Sequence, residues 1–402
     1  MKLVERHIIK PNNQYFAGLL EMAHFSKNLY NQANYFIRQG FIENHKWLRY
    51  SDVDKLCKSL VEHNDYRTLP SAQVAQQILR LLDKNWVSFF RAIKDWKAHP
   101  FKYLGRPKLP KYLAKNGYNV LIFTNQTCKL KENTIYFPKS MKGFTIQTKI
   151  RENLRFEKFN QVRIVPRRSY LLVEVIYEVS DVKKKNNDNW MSIDIGLDNL
   201  ATITSNRFNS VIIDGKGLKS MNQYYNSKKS FLQREAKKCN HLDWTHNLEK
   251  LTVKRNFKID DYMHKASKIV VGLAEMYDVS KIVIGHNKNQ KQRSKLKNFV
   301  QVPYDNFIRK ITYKAQLQGI EVISHEESYT SGTSFLDKEE SVKENYNIHR
   351  RLKRGLFKSN SGKLINADVN VSLQIAKKVS CDVDLDQQVE GFVFNPVKIC
   401  IA

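Results

Sequence analysis

The spacing of apolar residues changes along this chain. Residues 1–10 place Leu3, Val4, Ile8 and Ile9 among charges and predict a short strand. From about 15 to 100 the spacing becomes three and four. In "SAQVAQQILRLLDKNWVSFFRAIKDWK", Val74, Ile78, Leu81, Leu82, Trp86, Phe89, Phe90 and Ile93 share one helical face, and Ser71 stands where an N-cap belongs. "FSKNLYNQANYFIRQ" (25–39) predicts another helix. Tyr30, Tyr35 and Trp86 are candidates for stacking on bases, although helical spacing favours core packing. "KYLGRPKLPKY" (102–112) is a basic loop punctuated by Gly105, Pro107 and Pro110. After it come short β-branched and aromatic runs, "NVLIFT", "TIYFP", "FTIQTKI", "VRIVPR" and "YLLVEVIYEV", separated by turn residues as in a small β-barrel.

"SDVKKKNNDN" (180–189) is a charged, Asn-rich linker and marks a domain boundary. Three strands are predicted beyond it, "WMSIDIG", "LATITS" and "SVIIDG", followed by a basic helical region over 217–256. "MHKASKIVVGLAEMYD" predicts a helix, "KIVIG" a strand, "YDNFIRKITYKAQLQG" a helix, "IEVISHE" a strand and "NADVNVSLQIAKKV" a last helix. Three consecutive strands and then helix–strand repeats imply a mixed sheet covered by helices. The fold class is α+β multidomain: residues 1–10 and 101–187 form the β-barrel, 11–100 a helical domain and 188–402 an α/β domain.

Composition adds partners to this picture. The chain has 402 residues, enough for two or more domains, and 42% apolar content, enough for real cores. Sixty-eight Lys and Arg against 39 Asp and Glu leave a formal charge of +29, for which nucleic acid is the leading counterpart. No apolar run approaches the ~18 residues of a spanning helix, and "MKLVERHIIKPNNQYF" lacks the apolar core of a signal peptide. A cytoplasmic location without a membrane partner is expected. None of the five cysteines (57, 128, 239, 381, 400) forms a CxxC pair, so neither a sequence-local zinc ribbon nor a disulfide framework is expected.

Two acids stand out. Asp194 lies between apolar residues in "MSIDIGLDN"; burial there is costly unless it is paired or bound to a metal, although an exposed-face Asp has the same pattern. Gly196 and the turn "GLDN" suit close approach of backbone to a ligand. Asp368 heads the last helix, where it can serve as a cap or dipole partner, or as a ligand. One acid in a first strand and another in a late helix resemble the RNase H-like fold of RuvC-type nucleases. Two-metal phosphodiester cleavage needs about three convergent carboxylates around two Mg²⁺. Asp194 and Asp368 supply two.

The resemblance sharpens at "MSIDIGLDNLATITS", "ESYTSGTSFLD" and "RGLFKSNSGKLINADVNVSLQIA", which are similar to the TnpB (OrfB) proteins of bacterial insertion sequences, relatives of type V CRISPR effectors. It extends over nearly the whole chain, "LGRPKLPKY" and the β segment included. It implies a helical recognition domain, a wedge-like β-barrel and a RuvC-like nuclease domain. The implied activity is RNA-guided DNA endonuclease, licensed by a short target-adjacent motif. The implied partners are a noncoding guide RNA from the transposon end and double-stranded target DNA. The implied cofactor is two Mg²⁺, with Mn²⁺ as substitute; the chain is expected to act as a monomer, associated with the nucleoid through DNA.

Two departures from the family matter. The second carboxylate is commonly a Glu closing the strand read as "KIVIG"; here Gly285 and His286 stand there. Glu326 and Glu327 end the next strand, ~4.8 Å away across a sheet. Glu327, just before Ser328-Tyr329-Thr330-Ser331, is the expected third carboxylate and metal ligand beside Asp194 and Asp368, with Glu326 the fallback. Solvated strand-end acids are the alternative. The second departure lies around 332–358, where the family places CxxC pairs. This chain has no Cys there, which predicts a zinc-free lid, short, polar and mobile before nucleic acid binds, rich in Arg350, Arg351, Lys353 and Arg354.

Pairing of guide and target would carry sequence recognition, with the protein holding backbone and shape. Lys228, Lys229, Arg234, Lys237 and Lys238, together with the loop "NKNQKQRSKLKN", are candidate walls of a positive channel, and Arg354 a candidate contact from the lid. Gln73, Gln76 and Gln77 are candidate base readers, or simply a polar helix face. A nuclease-inactive guided DNA-binding repressor of the same descent is the alternative function. A DNA-joining transposase is disfavoured, because no His pair of HUH type accompanies a nucleophilic Tyr.

Overall fold

The structure is a computed structural model that describes residues 1–60, 64–152, 155–240, 242–287, 301–353, 355–379 and 393–401. The chain divides into two compact units, residues 1–180 and 181–402, at the head of the Asn-rich linker.

The first unit contains β1 (Lys2–Ile9), α1 (Phe16–Asn44), α2 (Tyr50–Ser59), α3 (Asp65–Thr68), α4 (Ala72–Ala98), β2 (Leu121–Thr124), β3 (Lys129–Lys131), β4 (Thr134–Tyr136), β5 (Thr145–Gln147), β6 (Phe156–Pro166) and β7 (Leu171–Val179). The described strands pair as two antiparallel sheets, β1-β7-β6-β2 and β3-β4-β5. Thus the N-terminal strand closes against the end of the unit, Lys2 opposite Glu178. Ser71 does cap α4, its hydroxyl accepting from the Val74 N–H at 3.3 Å. Trp86 is fully buried, ringed by Phe41, Phe89 and Phe90, and its indole N–H donates to Asn34 Oδ1 at 3.0 Å. Tyr30 is also buried, but Tyr35 is half exposed, because its position falls off the stripe that faces α4. Trp86→Ala would empty an indole-sized space and orphan Asn34. A loss of about 3–5 kcal/mol is expected, read as a lower denaturant midpoint in guanidinium unfolding.

The second unit runs β8 (Trp190–Asp194), β9 (Asn199–Ser205), β10 (Val211–Asp214), α5 (Lys216–Asn240), α6 (His246–Met276), β11 (Lys281–Gly285), α7 (Tyr304–Gln316), β12 (Glu321–His325), β13 (Arg351–Lys353), β14 (Leu356–Lys358), β15 (Leu364–Asn366), α8 (Ala367–Val379) and β16 (Val397–Ile399). The region expected as one basic helix and a separate successor is a hairpin: α5 ends at Asn240, and α6 starts behind Thr245, whose hydroxyl accepts from Leu248 N–H. "MHKASK" continues α6 without a break: Met263, Ala266 and Ser267 are buried, while Lys265 and Lys268 are exposed.

One six-stranded mixed sheet has the order β12-β11-β8-β9-β10-β16. β8, β9 and β10 form an antiparallel meander, while β11 and β12 run parallel to β8. Strand alternation sorts the helices. Ile282 and Ile284 of β11 face the cluster with α6 and α7, and Val283 faces Val371 and Ile375 of α8. α8 therefore packs on the opposite face of the central strands, and a buried hydroxyl trio holds it there. Ser192 Oγ lies 2.7 Å from Thr204 Oγ1 and 2.9 Å from Ser372 Oγ, and Ser372 Oγ donates to Ser192 O at 3.0 Å. Small side chains bring helix and sheet close, and their polar atoms are all satisfied.

Candidate functional site

Parallel strands expose their C-terminal ends along one edge, where loops diverge and a cleft opens. β8, β11 and β12 all end there. Asp194 is the last residue of β8. Ile284 pairs with Ile193, which puts Gly285 beside Asp194, and Gly285 pairs with His325 at the end of β12. Glu326 and Glu327 follow. Glu326 is exposed, whereas Glu327 turns inward over Gly285.

Gly285 is the residue that makes this possible. A Cβ there would lie 2.8 Å from Glu327 Oε2 and 2.3 Å from Ile375 Cδ1. The space vacated at the end of β11 is the space that Glu327 uses. Gly196 lines the cavity beside the acids, and its smallness also serves the turn between β8 and β9, where a Cβ would meet Asn199 O at 2.7 Å.

Asp368 comes from α8, one residue into the helix. It does not cap it. Asn366 does: its Oδ1 accepts from the N–H groups of Asp368 at 3.0 Å and Val369 at 3.3 Å. The Asp368 carboxylate is thereby left for other partners. Asn199 Nδ2 donates to Oδ2 at 2.8 Å, and Arg351 of β13 lies 3.3 Å from Oδ1.

The electrostatics show that the three acids share one neighbourhood. Asp194, half-buried by exposure but enclosed by protein at the cleft floor, is pushed well above the carboxylate range, first by desolvation, then by the charges of Glu327 and Asp368; Arg351 opposes this. Desolvation raises Glu327 to about 7, against a smaller opposing pull from Lys378. Glu327 Oε1 accepts from Asn287 Nδ2 at 3.1 Å, while buried Oε2 has no hydrogen-bond partner among the described residues.

These residues fit a hard divalent cation: oxygen donors only, one of them buried and unsatisfied, in a cradle that a single methyl group would fill. No three His, Cys, Asp or Glu side chains among the described residues already close around a common point. The carboxylates are neighbours through their fields, and one cationic position is taken by the Arg351 guanidinium. The adjoining cavity, about 590 Å³, is lined by Asp194, Asp198, Asn199 and Asp368 together with Lys216, Arg351, Lys353 and Lys398. Carboxylates and cations in one cavity suit a phosphodiester with its counterions.

The remaining predicted contacts are dispersed. Lys228, Arg234 and Lys237 are exposed along α5 and Lys229 is half-buried; Lys237 pairs with Asp243 at 3.5 Å, and Arg234 lies over the Phe231 ring. Gln73, Gln76 and Gln77 are half-buried in the first unit, and Gln73 Nε2 donates to Gln126 at 2.7 Å. Arg354 and all of the candidate stretch "NKNQKQRSKLKN" except Asn287 lie outside the described residues. The expected lid is pinned at its head. Thr333, Ser334 and Phe335 are buried, Phe335 N–H donates to Asn370 Oδ1 at 2.9 Å, and Asn370 Nδ2 donates to Thr333 O at 2.8 Å. Asn199, Asn287 and Lys398 were not singled out by sequence; each is one polar residue among many, and pairing alone reveals it. Among the described residues no helix is long and apolar enough to cross a membrane.

An α+β chain with a polar cleft at the parallel edge of a mixed sheet has known counterparts. Residues 174–291 match the OrfB_IS605 family, described as a probable transposase, and residues 304–375 match the Cas12f1-like TNB domain. The fold is shared with a Cas12f1–sgRNA–target DNA complex, 15% identical with a TM-score of 0.57, over 89% of this chain and 82% of that one. It is shared also with the mini-RNA-guided endonuclease CRISPR-Cas phi3, 8% identical with a TM-score of 0.50, over 94% and 92%. No curated protein matches by sequence. Over these two segments the chain is similar to the OrfB proteins of insertion sequences and to Cas12f-type effectors.

Proposed function

We propose that this chain is an RNA-guided DNA endonuclease of a transposable element. In this reading the second unit is an RNase H-like, RuvC-type nuclease domain, residues 11–100 recognise the target-adjacent motif, and the β segments act as the wedge. The partners are a transposon-end guide RNA and double-stranded target DNA. One observation carries the reading: Glu327 reaches across Gly285 into the field of Asp194 and Asp368. The strand order of the mixed sheet, a 1-2-3 meander extended by parallel strands on the β8 side, supports it.

Asp194, Glu327 and Asp368 would hold two Mg²⁺, which when bound supply an activated water and charge neutralisation at the leaving oxygen. The chain's own residues do the rest. Asn287 orients Glu327 and Asn199 orients Asp368. Arg351 balances the acids until cations and phosphate arrive. Lys216, Lys353 and Lys398, which line the same cavity, would neutralise the strand's phosphates.

The test is cleavage of a plasmid library carrying a matched target and randomised flanking bases, with Mg²⁺ and protein purified with its co-expressed flanking RNA. Motif-dependent cuts are expected. Motif-dependent binding without cuts would assign the chain instead to a guided repressor, the reading favoured by the Gly at the family's usual Glu position.

A further inference from the structure

The basic loop "HPFKYLGRPKLPKYLAKNGY" (99–118) has no part in the carboxylate site, yet the first unit is built to hold it. A polar stripe on α1 clasps it. Lys27 Nζ donates to Lys115 O at 2.8 Å, Asn31 Nδ2 donates to Leu113 O at 2.9 Å and Asn31 Oδ1 accepts from Leu113 N–H at 2.8 Å. Asn34 Nδ2 and Arg38 Nη2 both donate to Pro110 O, at 3.1 and 2.8 Å. At the other end Tyr103 OH donates to Asp95 of α4 at 2.7 Å. Beside the Tyr103 anchor the loop displays what a protein surface normally hides. Phe101 is 82% exposed and Leu104 fully so. Around them stand Lys102, Arg106, Lys108, Lys111 and Lys115, with no acid anywhere from 99 to 118.

Rigid backbone, two protruding apolar side chains and five cations define a wedge for a charged polymer with flat apolar faces inside it. We propose that this loop is a nucleic-acid wedge: Arg106, Lys108 and Lys111 grip backbone phosphates while Phe101 and Leu104 press between bases and unstack them. Apolar wedges of this kind open base steps by exchanging base–base for base–side-chain contact. An acidic protein surface would match the cations but offers no stacked planar faces for Phe101 and Leu104, and a second copy of the loop would bring like charges together. The clasp on α1 lowers the ordering cost of the contact.

The test needs neither guide nor cleavage, so it stands apart from the nuclease reading. The full chain in EDTA is titrated into 20-base-pair DNA and RNA duplexes carrying 2-aminopurine, and into the corresponding single strands. Binding with a rise in 2-aminopurine fluorescence is expected; the arm that responds tells DNA from RNA. Phe101→Ala with Leu104→Ala should remove the rise and weaken binding about tenfold, at unchanged salt dependence. Lys108→Gln with Lys111→Gln should lower the slope of log affinity against log salt by about 2 on duplex DNA. These side chains are exposed, so the variants fold, which circular dichroism would verify. Unchanged fluorescence and affinity in the Phe101/Leu104 variant overturn the proposal. So does loss of self-association in sedimentation with nucleic-acid binding intact, which would make the patch an interface between copies.

Discussion

Glu327→Gln should abolish cleavage and, at the same time, stabilise the free protein. The first effect is expected to exceed about 10³-fold in single-turnover rate, because a carboxylate acting with two others cannot be replaced by a neutral amide. The second follows from the raised carboxyl. Glu327 titrates at about 7 in the folded chain and near its ordinary value of 4.5 when unfolded. Between these values the folded state holds a proton that the unfolded state has released. Stability of the metal-free protein therefore falls as pH rises through that window, and the full penalty remains above 7. Glutamine removes it, a gain of about 2–3 kcal/mol at pH 8 once partial exposure is discounted. Thermal melts in EDTA at pH 5 and pH 8 would read this directly: the wild type should lose Tm between them, and the variant should lose less. An equal pH slope in both would contradict the placement of Glu327. Asp194→Asn should behave alike, since desolvation also dominates there. A variant that is dead and more stable is what a site strained for its task produces.

Gly285→Ala should be nearly as damaging through one methyl group. Its Cβ would sit 2.3 Å from Ile375 Cδ1 and 2.8 Å from Glu327 Oε2, so both must move. Ile375 is buried in α8. Overpacking of this kind costs about 1–3 kcal/mol. The larger effect is on activity: displacement of Glu327 by about 1 Å should cost roughly 10²-fold in cleavage rate. Ile375→Val in the same chain should recover stability but little activity, because it relieves α8 and not the carboxylate. Denaturant midpoints and single-turnover rates of the wild type, the single variant and the double variant separate the two effects. Full recovery of cleavage in the double variant would show that helix packing, not the acid, was the critical contact.

Strand and helix periods made most of the second unit legible, since β8 to β12 and α8 bury continuous or alternating apolar runs. Short strands did not announce themselves. β13, β14, β15 and β16 have three residues each, too few for a period, and form only because neighbours complete their hydrogen bonds. Asp194 and Asp368 could be read because an acid interrupts apolar neighbours. Glu327 could be placed only through the vacancy at Gly285, which sequence marks and packing explains. Sequence could not separate cap from ligand at Asp368, because Asn366 and Asp368 are both good caps and only the hydrogen bonds choose. Nor could it find the α1 clasp, whose Asn31, Asn34 and Arg38 read as an ordinary polar face until the loop lies against them.

The hydroxyl trio under α8 works as a mechanical detent. Apolar contacts resist separation but tolerate sliding, and a helix resting on Val283 through Val371 and Ile375 alone could creep along the strands by a fraction of a turn. Directional bonds among Ser192, Thr204 and Ser372 click at one setting only. Since Asp368 rides at one end of that helix and Asp194 one residue pair beyond Ser192, the detent sets the gap between two acids it never touches. Transplanting the acids onto another scaffold without it would reproduce the residues and lose the spacing.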